Sequence, residues 1–191
     1  MINIGTWLTD IFGHSELGTI LLIFVVFLLD AFLLPMVPEL FFAVGCISNS
    51  MLFGVELLAT AILAEIVGIT SLYLLVSHIR VPARIEKIAK KYTDFLVLGD
   101  ERLLLLNRVA PMIPFAGAFI AILKWDLKKS LMYVVIGCVI KYGLIVLMSE
   151  TFKMYFESDM ATTVMLVFIF AVIIISFIFS IIMKKRKGLS T

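Results

Sequence analysis

The sequence predicts an all-α integral membrane protein: two inverted repeats, each a re-entrant helical hairpin plus a transmembrane helix, with an extra C-terminal transmembrane helix. Three observations lead there. Of the 191 residues 62% are hydrophobic and 16% charged, against about 45–50% and about 25% in soluble domains, and the mean hydropathy is +1.14. Two of the long apolar blocks are broken by the same proline pattern. The basic residues, finally, gather in a few short connectors.

Five apolar blocks follow one another: 17–48, 52–79, 102–123, 130–149 and 161–183. Residues 1–16 hold no Lys or Arg, and the first unbroken run, Leu17 to Leu34, ends in proline-rich sequence rather than a small-residue cleavage site. The N-terminal segment is therefore expected to stay in the mature chain. Block 17–48 contains Leu34-Pro35-Met36-Val37-Pro38, and block 102–123 contains Ala110-Pro111-Met112-Ile113-Pro114, the same P-M-x-P punctuation 76 positions later. That spacing is an internal repeat signal. Two prolines three apart stop a helix and leave bare carbonyls, which lipid cannot satisfy. Such a break survives at membrane depth only where it is buried in protein or lines a wet cavity. Each broken block thus reads as a re-entrant hairpin, with tips at Pro35 and Pro38 and at Pro111 and Pro114. A second reading of the first block stays open, since the 18 residues from Leu17 to Leu34 reach about 27 Å and could cross alone.

Blocks 52–79 and 130–149 are unbroken and long enough to span. They complete repeat 1 (17–79) and repeat 2 (101–150), and 161–183 supplies the last span, all within one membrane domain. Between the repeats, Val81-Pro82 opens a helix over 81–98, in which Ile85, Ile88, Ala89 and Tyr92 recur at helical spacing beside basic side chains. This is an amphipathic helix for the membrane surface.

Basic residues test the topology, because short cytoplasmic loops collect them. Segment 80–91 holds Arg80, Arg84, Lys87, Lys90 and Lys91; link 124–129 holds Lys124, Lys128 and Lys129; the tail holds Lys184, Lys185, Arg186 and Lys187. Residues 1–16, 49–51 and 150–160 hold only Lys153. If block 102–123 crossed completely, the first two clusters would fall on opposite sides. A hairpin returns them to one side. The expected path starts outside and ends with a cytoplasmic C-terminus, in the plasma membrane.

Five charges fall well inside apolar blocks, Asp30, Glu39, Glu65, Arg108 and Lys141, whereas Arg102 only opens its block and Glu56, near the expected outer end of 52–79, reads as interfacial. Each of the five costs about 2.5–3.5 kcal/mol at a helix centre and must face protein or water. Asp30 stands five residues before Pro35, Glu39 directly follows Pro38, and Arg108 precedes Pro111 by three, so charges and breaks belong to one site. Ala61 and Gly68 share the helical face of Glu65, and Gly137 that of Lys141, which lets another backbone approach. Fully ionised, the five sum to −1, to be compensated by a proton or a cation. Two roles stay open: a substrate and proton pathway, with Glu39 and Asp30 as candidates for the transferable proton, or static ion pairs that fix the hairpins. Arg108 likewise suits a phosphate held in bidentate geometry or one of the carboxylates.

The even balance of 16 Lys+Arg against 14 Asp+Glu argues against nucleic acid. The two histidines, His14 and His78, fall in distant segments, and HExxH, GxSxG and P-loop motifs and Cys/His metal clusters are missing from the sequence. The chain therefore reads as a non-enzyme with no metal or other cofactor. Cys46 and Cys138 read as small buried hydrophobes.

Asp30-Ala31-Phe32-Leu33-Leu34-Pro35, Pro38-Glu39-Leu40 and Gly45, followed by Arg108-Val109-Ala110-Pro111-Met112-Ile113-Pro114-Phe115 and Gly117, resemble the two hairpins of the VTT-domain superfamily, the DedA-like and SNARE-associated-Golgi-type membrane proteins. The resemblance covers roughly residues 20–150. The DedA branch carries a second arginine where this chain has Pro114, and the small-multidrug-export family has a similar second hairpin. The resemblance implies opposed re-entrant hairpins and transport, either scrambling or flipping of phospholipids or polyprenyl phosphates or a proton-linked export. It also implies that Asp30 and Glu39 are functional acids and Arg108 a functional arginine. Glu65 and Lys141 come from the charge argument alone. The expected partners are membrane lipids, with a lipid phosphate at Arg108, and protons. Three functions follow: a lipid translocator, a proton-coupled exporter of small ions or drugs, and an assembly protein that transports nothing.

Overall fold

The computed structural model of the chain describes residues 15–32, 37–47, 49–79, 81–95, 100–109, 113 and 115–155, with helical positions 160, 164, 167, 170, 171 and 174 beyond them. Seven helices are numbered among them: α1 (Glu16–Phe32), α2 (Pro38–Ile47), α3 (Met51–Ser77), α4 (Ala83–Phe95), α5 (Leu103–Val109), α6 (Ala116–Leu123) and α7 (Leu127–Tyr155). The described secondary structure is wholly helical. Of the expected hairpin tips only Pro38, the first residue of α2, lies among the described residues; Pro35, Pro111 and Pro114 lie outside them, as does most of the expected span 161–183.

Helix lengths sort the elements. With 27 and 29 residues, α3 and α7 extend about 40 Å and more, beyond the roughly 30 Å of a bilayer core, and both are apolar enough to cross a membrane. By contrast α2, α5 and α6 have 10, 7 and 8 residues, about 10–15 Å each, and none of the three crosses by itself. Both broken blocks are thus pairs of helices separated at the prolines, α1 with α2 and α5 with α6.

Local chemistry sets the ends of the long helices. Ser50 is extended and its Oγ accepts the Phe53 N–H at 3.3 Å, a helix N-cap. Asp126 caps α7 in the same way, its Oδ1 accepting the Lys129 N–H at 2.9 Å. These caps lie 76 residues apart, as do the helix starts Met51 and Leu127 and the preceding helix ends Ile47 and Leu123. The proline spacing read from the sequence therefore recurs in caps and helix boundaries. Before α7 the chain reverses at Lys124, which takes a left-handed conformation with φ 57° and ψ 36°. Lys128 and Lys129, expected in the link, stand in the first turn of α7.

At the other end α7 continues through 150–155, expected as connector. Ser149 and Thr151 hydroxyls donate to the carbonyls of Val146 and Leu147 at 2.7 and 3.1 Å, so they join the helix rather than break it. Lys153 bridges to Glu150 at 2.8 Å and donates to the Asn49 carbonyl, tying the end of α7 to the turn before α3.

The bundle packs around α3, against which α1, α6 and α7 lie, while α2 and α5 rest on α7. Its core holds Ile23, Phe27, Phe42, Leu57, Ile69, Leu104, Ile120 and Tyr142, all at 0–1% exposure. Phe27 and Phe42 ring centroids lie 5.0 and 4.9 Å from that of Tyr142, a contact distance for aromatic rings. Cys46 and Cys138 are buried free thiols. Gly117 at the start of α6 sits on α3, where an added Cβ would run into the Ile69 carbonyl oxygen and lie 3.1 Å from the Tyr73 nitrogen. The two ends of the α5–α6 block meet, the Asp126 N–H donating to Glu101 Oε1 at 3.2 Å. At the opposite end of the bundle Gly45 of α2 faces Thr19 of α1.

Candidate charge cluster at the helix breaks

Each of four predicted charges is placed by an identifiable local feature. Glu39 stands in the first turn of α2, immediately after Pro38. Arg108 occupies the last turn of α5, on the near side of the second break. Glu65 lies 14 residues into α3, and Lys141 lies 14 residues into α7, each about 21 Å along its helix at the helical rise. Both long helices thus carry a charge near mid-length, again 76 residues apart.

The four close into two ion pairs. Both terminal nitrogens of Arg108 donate to Glu65, Nη1 to Oε1 and Nη2 to Oε2, the second at 2.6 Å. This bidentate pair is enclosed, with side-chain exposure of 0% for Glu65 and 11% for Arg108. Lys141 Nζ donates to Glu39 Oε1, and this pair is more open, at 24% and 18%. Its ammonium also lies 5.4 Å from the Tyr142 ring centroid, within reach of a cation–π attraction. Glu65 feels the charges of Lys141 and Glu39 as well as Arg108, so the pairs form one electrostatic cluster.

The pairing crosses the two halves of the chain. A carboxylate beside the first break meets an ammonium on α7, while a guanidinium beside the second break meets a carboxylate on α3. Gly137 makes room for Arg108, and Gly68 for the packing of α1 on α3. An added Cβ on Gly137 would stand 2.8 and 2.9 Å from Arg108 Cγ and Cβ, and one on Gly68 would stand 3.1 Å from the Leu28 carbonyl oxygen. The small-residue faces predicted beside Glu65 and Lys141 are therefore used for close contact. Arg108 Nε is buried and makes no hydrogen bond among the described residues. Asp30, the fifth charge, is half-buried in the last turn of α1 and belongs to neither of these two pairs.

Asn107 was not singled out by the sequence argument. Its Nδ2 donates to the Ile113 carbonyl at 3.2 Å and its Oδ1 accepts the Ile113 N–H at 2.6 Å. One side chain thereby satisfies both backbone groups of a residue inside the proline break, as a lipid environment would require. An amide in an apolar run four residues before a proline was the available signal. Among the described residues no group of three or more His, Cys, Asp or Glu side chains could hold a metal ion. The chemistry this cluster offers is exchange of charge partners: carboxylates that can take a proton, and cations that can take an anion. Compared with known proteins, the chain matches no protein family, no curated protein and no solved structure.

Proposed function

We propose that the protein is a membrane transporter that moves phosphate-bearing lipid headgroups, of phospholipids or polyprenyl phosphates, between leaflets while their tails stay in the bilayer. The observation that carries this reading is the crossed pair of ion pairs, held beside two helix breaks and half-way along two helices long enough to span. In this reading α1–α2 and α5–α6 are re-entrant hairpins inserted from opposite leaflets, and each with its long helix forms one of two inverted repeats. Supporting it are the short helices of the second block, its adjoining ends at Glu101 and Asp126, and the spacing of 76 shared by caps and prolines. The likeness of both breaks to those of the VTT-domain superfamily points the same way. The guanidinium fork that grips the Glu65 carboxylate has the geometry to grip a phosphate.

Liposomes containing the purified chain and a headgroup-labelled phospholipid or polyprenyl phosphate test the proposal. Label should cross between leaflets faster than in empty vesicles, and Arg108→Gln should slow it. Equal rates with and without protein across both lipid classes would overturn it. The hairpin topology is tested separately by cysteine accessibility in membranes of intact cells. Positions in 92–100 and 124–129 should react from the cytoplasmic side and residues near the N-terminus from outside the plasma membrane.

The partial exposure of the Glu39–Lys141 pair favours a second reading, a proton-coupled exporter of small ions or drugs. That reading predicts substrate flux driven by a pH gradient and abolished by Glu39→Gln. Flux unaltered by the substitution counts against it.

A further inference from the structure

Helix α4 is a basic helix with two exposed apolar side chains, Ile85 and Ile88. It packs on α6 and buries Ala89 to 5% exposure. Ile85 and Ile88 share that apolar side of the helix but stand 47% and 68% exposed. In a soluble protein such a face asks for a protein partner. Here α6 belongs to a bundle with two membrane-length apolar helices, and Trp125, just beyond α6 and packed against the core, is a residue type that collects at the membrane–water boundary.

The charges at this end of the bundle decide what the face meets. Among the described side chains Glu86 pairs with Lys90 at 3.0 Å and Asp100 with Arg102 at 3.5 Å, while Glu101 and Asp126 accept the neutral N–H groups of Asp126 and Lys129. The Lys90 partnership and the charge of Lys124 hold the Glu86 carboxyl below its ordinary value, so it stays negative and occupied. Exposed Arg84, Lys87, Lys124, Lys128 and Lys129 have no ion pair among the described residues. An exposed pair of isoleucines flanked by five cations outside any ion pair, offset only by the charges of Glu101 and Asp126, is complementary to an apolar layer beneath a negative surface. That is the anatomy of an interfacial helix on anionic lipid.

We propose that α4 docks on the anionic lipid of the leaflet at this end of the bundle, with Ile85 and Ile88 sunk below the headgroups and Arg84 and Lys87 bound to their phosphates. The inference is independent of what the charge cluster transports. It identifies a resident lipid contact rather than a cargo.

The test uses the full chain, with an environment-sensitive fluorophore attached through Ile88→Cys, in phosphatidylcholine vesicles carrying a minor fraction of phosphatidylglycerol. The native thiols are buried and position 88 is exposed, so both labelling and folding are preserved. Brominated phosphatidylglycerol should quench the probe more than brominated phosphatidylcholine at equal mole fraction. Each of Arg84→Gln and Lys87→Gln should lower that preference by up to about fivefold, the equivalent of about 1 kcal/mol per cation, and high salt should lower it as well. A probe attached through Lys87→Cys, on the polar face, should be quenched less than that at 88. Quenching equal for both lipids would overturn the proposal, since it would mean burial by lipid of any charge. A probe shielded from water yet quenched by neither lipid would also overturn it, because a protein surface would then cover α4.

Discussion

Arg108→Leu would strand the Glu65 carboxylate, which is 0% exposed and has both oxygens committed to the guanidinium. Removing one partner of a buried pair typically costs about 3–5 kcal/mol, because the other charge is left uncompensated. Against a total stability of about 5–15 kcal/mol that is a large fraction. Glu65→Leu should cost a similar amount by leaving Arg108 unpaired, its Nε being already without a hydrogen bond among the described residues. The double variant Glu65→Leu/Arg108→Leu leaves no buried charge at the position, and apolar replacement of whole buried pairs is often neutral or stabilising. Its cost should stay within about 2 kcal/mol, where additivity would give about 6–10 kcal/mol. Unfolding of the purified chain in detergent micelles, by heat or denaturant, measures the cycle. A double variant as unstable as the summed singles would refute the reasoning, since the two groups would then be acting separately. The cycle also separates structural from functional roles. If the wild type moves lipid as proposed, a folded double variant that fails to do so assigns the pair to transport, and one that matches the wild type assigns it to the scaffold.

Three further outcomes follow from particular contacts. Gly117→Ala drives a Cβ into the Ile69 carbonyl and toward the Tyr73 nitrogen and should cost about 1–3 kcal/mol or more, whereas Gly143→Ala, with nothing within 4 Å, should gain up to about 1 kcal/mol from helix propensity; equal shifts in melting temperature would contradict this packing of α6 on α3. Asn107→Asp keeps the acceptor for the Ile113 N–H and loses the donor to the Ile113 carbonyl, so about 1–3 kcal/mol should be lost, and hydrogen exchange around the break should quicken. The hydrogen bond and charge of Lys90 hold Glu86 below its ordinary value of 4.5, so this pair supports α4 above that value and the support disappears as pH falls through the lowered one; hydrogen exchange over 83–90 should show an acid step that Glu86→Gln removes.

Much of this was legible because long apolar runs make exceptions conspicuous. Prolines three apart in an apolar run, and charges beside them, have few physical solutions, and the helix pairs α1–α2 and α5–α6 fall on either side of those prolines. The amphipathic pattern of 81–98 likewise appears as α4 (Ala83–Phe95), with Arg84, Lys87 and Lys90 exposed. Pairing was not legible, because Glu39 and Lys141 are 102 residues apart, Glu65 and Arg108 are 43 apart, and no local rule chooses between partners. The sequence argument placed Arg108 against a phosphate or an unspecified carboxylate, and the carboxylate it meets in the structure is that of Glu65. Asp126 was equally hidden. Its cap is visible only once Leu127 is known to start a helix, and apolar patterning placed that start near 130. Asn107 escaped because a search for charges passes over amides, although an unpaired amide in lipid is costly as well.

The crossed pairing constrains how an anion could use the cluster. Four of its charges are neutralised within two pairs, so an incoming phosphate must displace a carboxylate before it gains a cation. Both members of the Glu39–Lys141 pair are partly exposed and the Glu65–Arg108 pair hardly is, and separating charges costs less where solvent can replace the lost partner. In the proposed mechanism Lys141 therefore meets the headgroup first, and the freed Glu39 carboxylate either is solvated or takes a proton. Because Glu65 feels both members of the open pair, an anion that replaces Glu39 at Lys141 while Glu39 takes a proton leaves the local charge sum unchanged, and Arg108 is not released by electrostatics alone. Opening the second pair requires the guanidinium to exchange one fork-shaped partner for another of similar shape, which a phosphate can offer and a chloride ion cannot. Lys141→Gln should then slow entry of every anion in the liposome assay, while Arg108→Lys, which keeps the charge and removes the fork, should selectively slow phosphate-bearing lipids. Equal effects of the two substitutions on phosphate-bearing and phosphate-free anionic lipids would show that the fork plays no part in selection.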